Sequence, residues 1–377
     1  MQYVPFGKHG FDVSRLGMGC MRLPTMLKDG KTVIDREAAI AMIRHGIDQG
    51  INYVDTAYPY HGGESELVVG QALKGGYREQ VKLATKLPIW LVKEEKDMNR
   101  LLDEQLKKLD VAYIDFYLLH AMNKERMELM RSLNYKKFLG EAIADGRIRH
   151  AAFSFHDDKD CFLDILHDYD NWGLAQIQFN YLDDDKQATE EGLKAAGKAG
   201  VPLVIMEPLR GGALANPPAD VKQLMDSTGR GPVEWAFAYI ADYAEVATIL
   251  SGMSSMEQLN ENLAIFDRLT VGGLSDADKA LVKQLKETYL ARVPIGCTSC
   301  RYCVPCPNDV SIPSVFHAYN ESAMLGQEWK HSWNYSNLVK DGHDASKCVG
   351  CGACEAQCPQ SLPIIDLLSR IDGEFTK

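Results

Sequence analysis

Eight of the ten cysteines lie in two short runs near the C-terminus, Cys297-x-x-Cys300-x-x-Cys303-x-x-Cys306-Pro307 and Cys348-x-x-Cys351-x-x-Cys354-x-x-x-Cys358-Pro359. Thiolates hold iron–sulfur clusters four at a time. In the bacterial two-cluster arrangement, three closely spaced cysteines are followed by a fourth that precedes proline and ligates the other cluster. Both runs have that form. The expected ligand sets are therefore Cys297, Cys300, Cys303 and Cys358 for one [4Fe–4S] cluster and Cys348, Cys351, Cys354 and Cys306 for a second. Structural zinc takes paired C-x-x-C knuckles, and disulfide frameworks suit short secreted chains rather than one of 377 residues. The cysteine triplets fit neither pattern. A single cluster beside a largely structural first run is the remaining alternative.

Only Cys20 and Cys161 precede residue 297, so the chain is expected to divide into a large N-terminal domain, residues 1–292, and a small cluster domain, residues 293–377. The formal charge of −11 argues against nonspecific nucleic-acid binding, which needs cationic surface to release counterions from phosphate. Met1 to Gly10 contain no apolar leader segment, and no stretch reaches the ~18 apolar residues needed to span a bilayer. A cytoplasmic protein without membrane partners is the expectation.

Between residues 16 and 266, short apolar runs alternate with amphipathic segments. The expected strands are Leu16–Gly19, Tyr53–Asp55, Val81–Lys86, Tyr113–His120, His150–Ser154, Leu174–Gln178, Pro202–Met206 and Thr248–Ser251, with helical segments such as Arg36–Asp48 and Lys93–Leu109 between them. Eight units over ~250 residues are what a (β/α)8 barrel requires. The doubly wound rival lacks its G-x-G-x-x-G after the first strand, since Gly17-Met18-Gly19 has no third glycine. Residues 3–14 read as a hairpin able to plug one end of the barrel. Ser275–Ala291 reads as a closing helix, and Ile312–Leu325 and Leu362–Ile371 as helices of a small, mainly α-helical cluster domain.

Three of these strands end in an ionisable residue: Asp55, Lys86 and His120. Barrel active sites gather at the C-terminal ends of the strands, so the three side chains should converge, with Tyr60 entering from the loop after Asp55. Together they form an acid for a carbonyl. A phenol has a reference pKa of ~10, which an adjacent ammonium lowers. Lys86 would supply that charge, Asp55 would hold the lysine protonated, and His120 would polarise the substrate oxygen.

Asp55-Thr56-Ala57-Tyr58-Pro59-Tyr60, Lys86 after Ala84-Thr85, and His120 closing Phe116-Tyr117-Leu118-Leu119 resemble the tetrad of the aldo-keto reductase family. The likeness covers most of residues 1–292, and the cysteine runs resemble the subgroup with a C-terminal ferredoxin-like domain. The resemblance implies a TIM barrel that reduces an aldehyde or ketone, or oxidises the alcohol, with NADPH or NADH. Tyr60 would be the general acid, Lys86 its pKa modulator, Asp55 the partner of the lysine and His120 the substrate-orienting residue. It also implies cofactor contacts: Ser154 and Gln176 on the carboxamide, Glu207, Pro208, Leu209, Arg210 and Gly211 along the pyrophosphate, and Gly252, Gln258, Glu261 and Asn262 at the adenosine end. Phe155 and His156 follow Ser154 where family members often carry asparagine. Gly252 and Gln258 stand where lysine and arginine commonly clamp a 2′-phosphate, so NADH is a live alternative.

Two other functional classes stay open at this level. The clusters could exchange electrons with a ferredoxin or another external carrier, or an idle barrel could support an iron- or oxygen-sensing cluster domain. An intact tetrad counts against the idle barrel. The segments Met21–Thr32 and Ala121–Tyr135 should border the substrate pocket. They contribute methionines, and Arg22 and Lys124 are the cations they offer to an anionic substrate.

Overall fold

The computed structural model describes residues 1–329 and 332–376, which form two compact units, one of residues 1–211 and 233–275 and the other of residues 212–232 and 276–377.

The first unit is a closed eight-stranded parallel barrel. A hairpin of β1 (Tyr3–Pro5) and β2 (Asp12–Ser14) precedes β3 (Leu16–Gly19), the first barrel strand. A second hairpin, β4 (Thr25–Lys28) and β5 (Lys31–Ile34), leads to α1 (Arg36–Asp48). The barrel continues through β6 (Tyr53–Asp55), α2 (Ser65–Ala72), β7 (Lys82–Leu87), α3 (Glu95–Leu109), β8 (Ile114–Met122), α4 (Lys124–Ser132), α5 (Tyr135–Ala144), β9 (Ile148–Phe155), α6 (Lys159–Asp168), β10 (Trp172–Gln178), α7 (Thr189–Ala199) and β11 (Leu203–Met206). The short α8 (Ala219–Asp226) belongs to the second unit. Then α9 (Pro232–Ala241), β12 (Val246–Ser251) and α10 (Met256–Phe266) complete the ring, β12 pairing with β3 from Ile249↔Leu16 to Ser251↔Met18. All eight expected strands are present, and four of them, β8, β9, β10 and β12, are longer than their apolar runs.

α3 shows how the sequence sets these elements. Asp97 accepts a hydrogen bond from the Glu94 N–H at the start of the helix. Met98, Leu101, Leu102, Gln105 and Leu109 recur at helical spacing and form its buried face. Asp110 then ends it in the left-handed conformation.

The first hairpin plugs the barrel as its sequence suggested. Phe6 is fully buried among Tyr53, Phe116, Leu118, Leu174 and Val204, with its ring edge-on to Phe116 at 5.1 Å. Closing that end with apolar side chains leaves the C-terminal ends of the strands to carry polar chemistry.

β8 departs from regular geometry where the chemistry begins. Its pairing with β9 shifts between Leu119 and Met122, and Ala121 has φ of 52°. The Ala121 N–H, lost to the ladder, donates to the Ser154 hydroxyl at 2.7 Å. A bulge of this kind re-aims a side chain at a barrel rim, here that of His120.

The second unit contains α8, α11 (Asp276–Ala291), α12 (Ile312–Leu325), α13 (Trp333–Asp341) and α14 (Ile364–Phe375). Arg292 joins both carboxylate oxygens of Asp220 at 2.9–3.0 Å, tying the end of α11 to α8. Its core is small: Ile295, Val310, Ile312, Val315, Phe316, Tyr335, Ile364, Leu368 and Ile371, with Cys297, Cys303, Cys306, Cys348, Cys354 and Cys358 packed against it. So little apolar surface makes cross-linking by metal a natural source of stability.

Candidate active site and cluster ligands

The three strand-end residues and Tyr60 meet as expected. Lys86 Nζ donates to Asp55 Oδ1 at 2.6 Å, to the Thr56 carbonyl at 2.9 Å and to the Tyr60 hydroxyl at 3.2 Å. Tyr60 opens a short turn, residues 60–63, in which His61, Gly62 and Gly63 all have positive φ. His61 Nε2 accepts from the Leu23 N–H at 3.2 Å, which ties this turn to the loop after β3. The His120 ring lies edge-on to that of Tyr60, 6.3 Å between centroids, and 5.1 Å from Trp90.

Burial alone would discharge Lys86, but Asp55 and Tyr60 more than offset it and hold the ammonium pKa above its ordinary value. For Tyr60 the sequence expectation needs correction. Burial raises its phenol above the ordinary value, and the Lys86 charge opposes the rise without reversing it. His120 is held well below the usual imidazole range by burial and by the positive charges of Lys86, His156 and Arg126. It is a neutral ring, and its Nδ1 is buried without a hydrogen-bond partner among the described residues.

Among the residues expected to hold a cofactor, Ser154 and Gln176 lie beside the tetrad. Gln176 Nε2 donates to Asp55 Oδ2 at 2.9 Å, so Asp55 is held from both sides. Past β11, Glu207 has φ of 57° and its carbonyl accepts from Asn180 and from the Arg210 N–H, shaping the turn that runs through Pro208 and Leu209. Arg210 is occupied by Asp183, its Nε 2.8 Å from Oδ2. Gly211, at φ of 66°, suits a close backbone approach. At the far edge, Gln258 Oε1 accepts from the Ser254 N–H, buried Asn262 donates to Ser251, and Glu261 is exposed.

Sequence reading overlooked what Arg22 does. Its Cγ would lie 2.9 Å from a Cβ on Gly252, its guanidinium reaches toward Gly211, and its carbonyl accepts from Ser254. Arg22 thus bridges the loops after β11 and β12. A glycine at 252 is what gives the arginine its room.

The family model described as "Aldo/keto reductase family" matches residues 15–285. The chain belongs to that family. A "4Fe-4S dicluster domain" model matches residues 296–362. The chain is 27% identical over 335 residues to an NADH-specific methylglyoxal reductase of Escherichia coli, covering 76% of this chain and 99% of that protein. Among solved structures it resembles aldo-keto reductase AKR11C1 from Bacillus halodurans in its holo form, at 26% identity and a TM-score of 0.64, over 76% of this chain and 96% of the other. A thermostable aldo-keto reductase, Tm1743, in complex with the inhibitor epalrestat is similar at 26% identity and a TM-score of 0.63, over 76% and 100%. The protein is an NAD(P)H-dependent oxidoreductase of the aldo/keto reductase family with a 4Fe-4S dicluster domain at its C-terminus.

In the second unit all eight C-terminal cysteines are free thiols. Cys297, Cys300, Cys303 and Cys358 line one shared hollow with Ile312, Pro313 and Phe316. That is the set expected from the sequence, with the distant Cys358 beside the first triplet. A donor set of four thiols around an apolar-backed hollow fits a cluster. Cys348 lies within electrostatic reach of Cys354, and Cys306 packs on the same core. Among the described residues no helix is long and apolar enough to cross a membrane.

Proposed function

We propose that the barrel reduces an aldehyde or ketone to the alcohol, with Tyr60 as the proton donor. The observation that carries this reading is the buried Asp55–Lys86–Tyr60 chain with neutral His120 at its open end. Bound NADH or NADPH would supply the hydride to the carbonyl carbon. Tyr60 gives its proton to the carbonyl oxygen, and the Lys86 ammonium stabilises the phenolate left behind. His120, as a neutral ring, orients that oxygen without competing for the proton. Asp55, gripped by Lys86 and Gln176, keeps the lysine charged and in place.

Ser154 and Gln176 are assigned to the carboxamide end of the cofactor, residues 207–211 with Arg22 to its pyrophosphate, and Gly252, Gln258, Glu261 and Asn262 to the adenosine end. NADH is the favoured donor. Neither Gly252 nor Gln258 carries charge for a 2′-phosphate, and the Escherichia coli relative bears the name of an NADH-specific enzyme. Within residues 293–377 we assign two [4Fe–4S] clusters, with Cys306 and Cys358 crossing between the triplets.

The test follows NADH oxidation with methylglyoxal and a panel of simple aldehydes. Tyr60→Phe should lower kcat by about 10²–10⁴-fold, with the cofactor affinity retained. Turnover that survives this change would place the proton donor elsewhere.

A further inference from the structure

Arg126 is a permanent cation near His120 that the reaction outlined above does not use. It stands in the first turn of α4, where a positive charge opposes the helix dipole, so helix stability does not account for it. Its Nη1 donates to the Ala121 carbonyl at the bulge of β8, and its guanidinium carbon lies 5.8 Å from the Trp90 ring centroid. Trp90 in turn lies 5.1 Å from His120 and is 45% exposed. No carboxylate among the described residues forms an ion pair with Arg126. A guanidinium has five donors in a planar fork matched to a carboxylate, and the hydrogen bond to Ala121 leaves most of that fork available. Lys124, the neighbouring cation, is exposed, whereas Arg126 is partly buried and within electrostatic reach of His120 and His156.

We infer that the substrate carries a carboxylate a few carbons from its carbonyl, with the carbonyl oxygen at His120 and Tyr60, the short chain along the Trp90 indole, and the carboxylate on Arg126. This rests on the carbonyl-reductase reading and narrows it to small oxo acids. The indole supplies the apolar wall that such a chain needs, and neither His120 nor His156 carries a negative charge to repel the acid. Arg22, by contrast, faces the loops assigned to the cofactor. The two arginines thereby divide the two anions of a ternary complex.

The holoenzyme is tested with succinic semialdehyde and with butanal, an uncharged aldehyde of the same chain length. The wild type should favour the acid in kcat/KM by roughly tenfold to hundredfold, the range expected for a charge-assisted hydrogen-bonded pair. Arg126→Met should erase that ratio, Arg126→Lys should keep part of it, and Lys124→Met should leave it where it was. A ratio unaltered by Arg126→Met, or one lost equally in Lys124→Met, overturns the assignment. Butyrate, which carries the carboxylate but cannot be reduced, is titrated in parallel by ligand-observed NMR. Weaker butyrate binding in Arg126→Met with no carbonyl turned over by any form would retain the anion site and remove the reductase reading. Equal butyrate binding in both forms would remove the anion site whatever the turnover.

Discussion

Lys86 and Asp55 form a 2.6 Å ion pair in which the two side chains are 1% and 3% exposed. Removing water from two charges is costly, and their attraction repays it only when both are present. Lys86→Met should therefore cost about 3–5 kcal/mol of stability, because it strands Asp55 among apolar strands. Asp55→Asn in the same chain should recover much of that loss while activity stays absent. Chemical unfolding of the two single variants and the double variant checks this. Additive losses would mean that the pair is not coupled.

The far end of the barrel has its own titration. The His150 ring lies 4.1 Å from His9 and stacks on Phe116 at 4.9 Å. Burial lowers its pKa from 6.5 to about 4, with the neighbouring His9 adding to the shift and Asp115 opposing it. The unfolded chain then binds the extra proton first as pH falls. Stability should be complete above about pH 6.5 and decline toward pH 4. For a partly exposed ring the contribution is about 1–2 kcal/mol after allowing for screening. The thermal midpoint of the wild type should fall more steeply between pH 7.5 and 5 than that of His150→Phe. Parallel curves would assign the acid sensitivity to other groups.

Much of this arrangement is legible in the chain because local and global signals agree. An apolar run ending in Asp55, Lys86 or His120 marks at once a buried strand and its functional end, and cysteine spacing marks a ligand set without reference to the rest of the fold. The less legible parts depend on tertiary placement. Tyr60 was expected to have a lowered phenol pKa from its charged neighbour alone, but the depth of its burial is a property of the closed site and outweighs that charge. The bulge at Ala121 has no glycine to announce it. Arg22 and Arg126 look alike in sequence, and only the glycine at 252 and the indole at 90 separate their surroundings.

The segment assigned to the adenosine end is open to a charge-introduction test. Gln258 is exposed and holds the Ser254 N–H with its amide oxygen. We expect kcat/KM to favour NADH over NADPH. Gln258→Arg should shift that ratio toward NADPH by about tenfold, as one guanidinium–phosphate contact would give. Stopped-flow or steady-state comparison of the two cofactors measures it, and an unchanged ratio would place the 2′-hydroxyl away from this helix.

The proposed crossing of ligands between the two cysteine runs makes an asymmetric demand on single substitutions. Cys358 follows the second triplet in sequence yet lines the hollow of the first, with Cys297, Cys300 and Cys303. Cys358→Ser should therefore destabilise the cluster of the N-terminal triplet, whereas Cys306→Ser should destabilise the other. If each run instead held its own cluster, the two outcomes would exchange. Iron and sulfide analysis alone sees about half the metal lost in both cases and does not separate them. Pairing each with a triplet variant does: Cys358→Ser combined with Cys300→Ser should lose no more iron than either alone, while Cys358→Ser combined with Cys351→Ser should empty both sites. The electron paramagnetic resonance signal of the reduced protein reads the same distinction, since spin coupling between neighbouring clusters disappears when one is gone. Because this domain has so small an apolar core, the doubly emptied form should also lose its helical circular dichroism and become sensitive to protease, leaving the tetrad of the barrel intact.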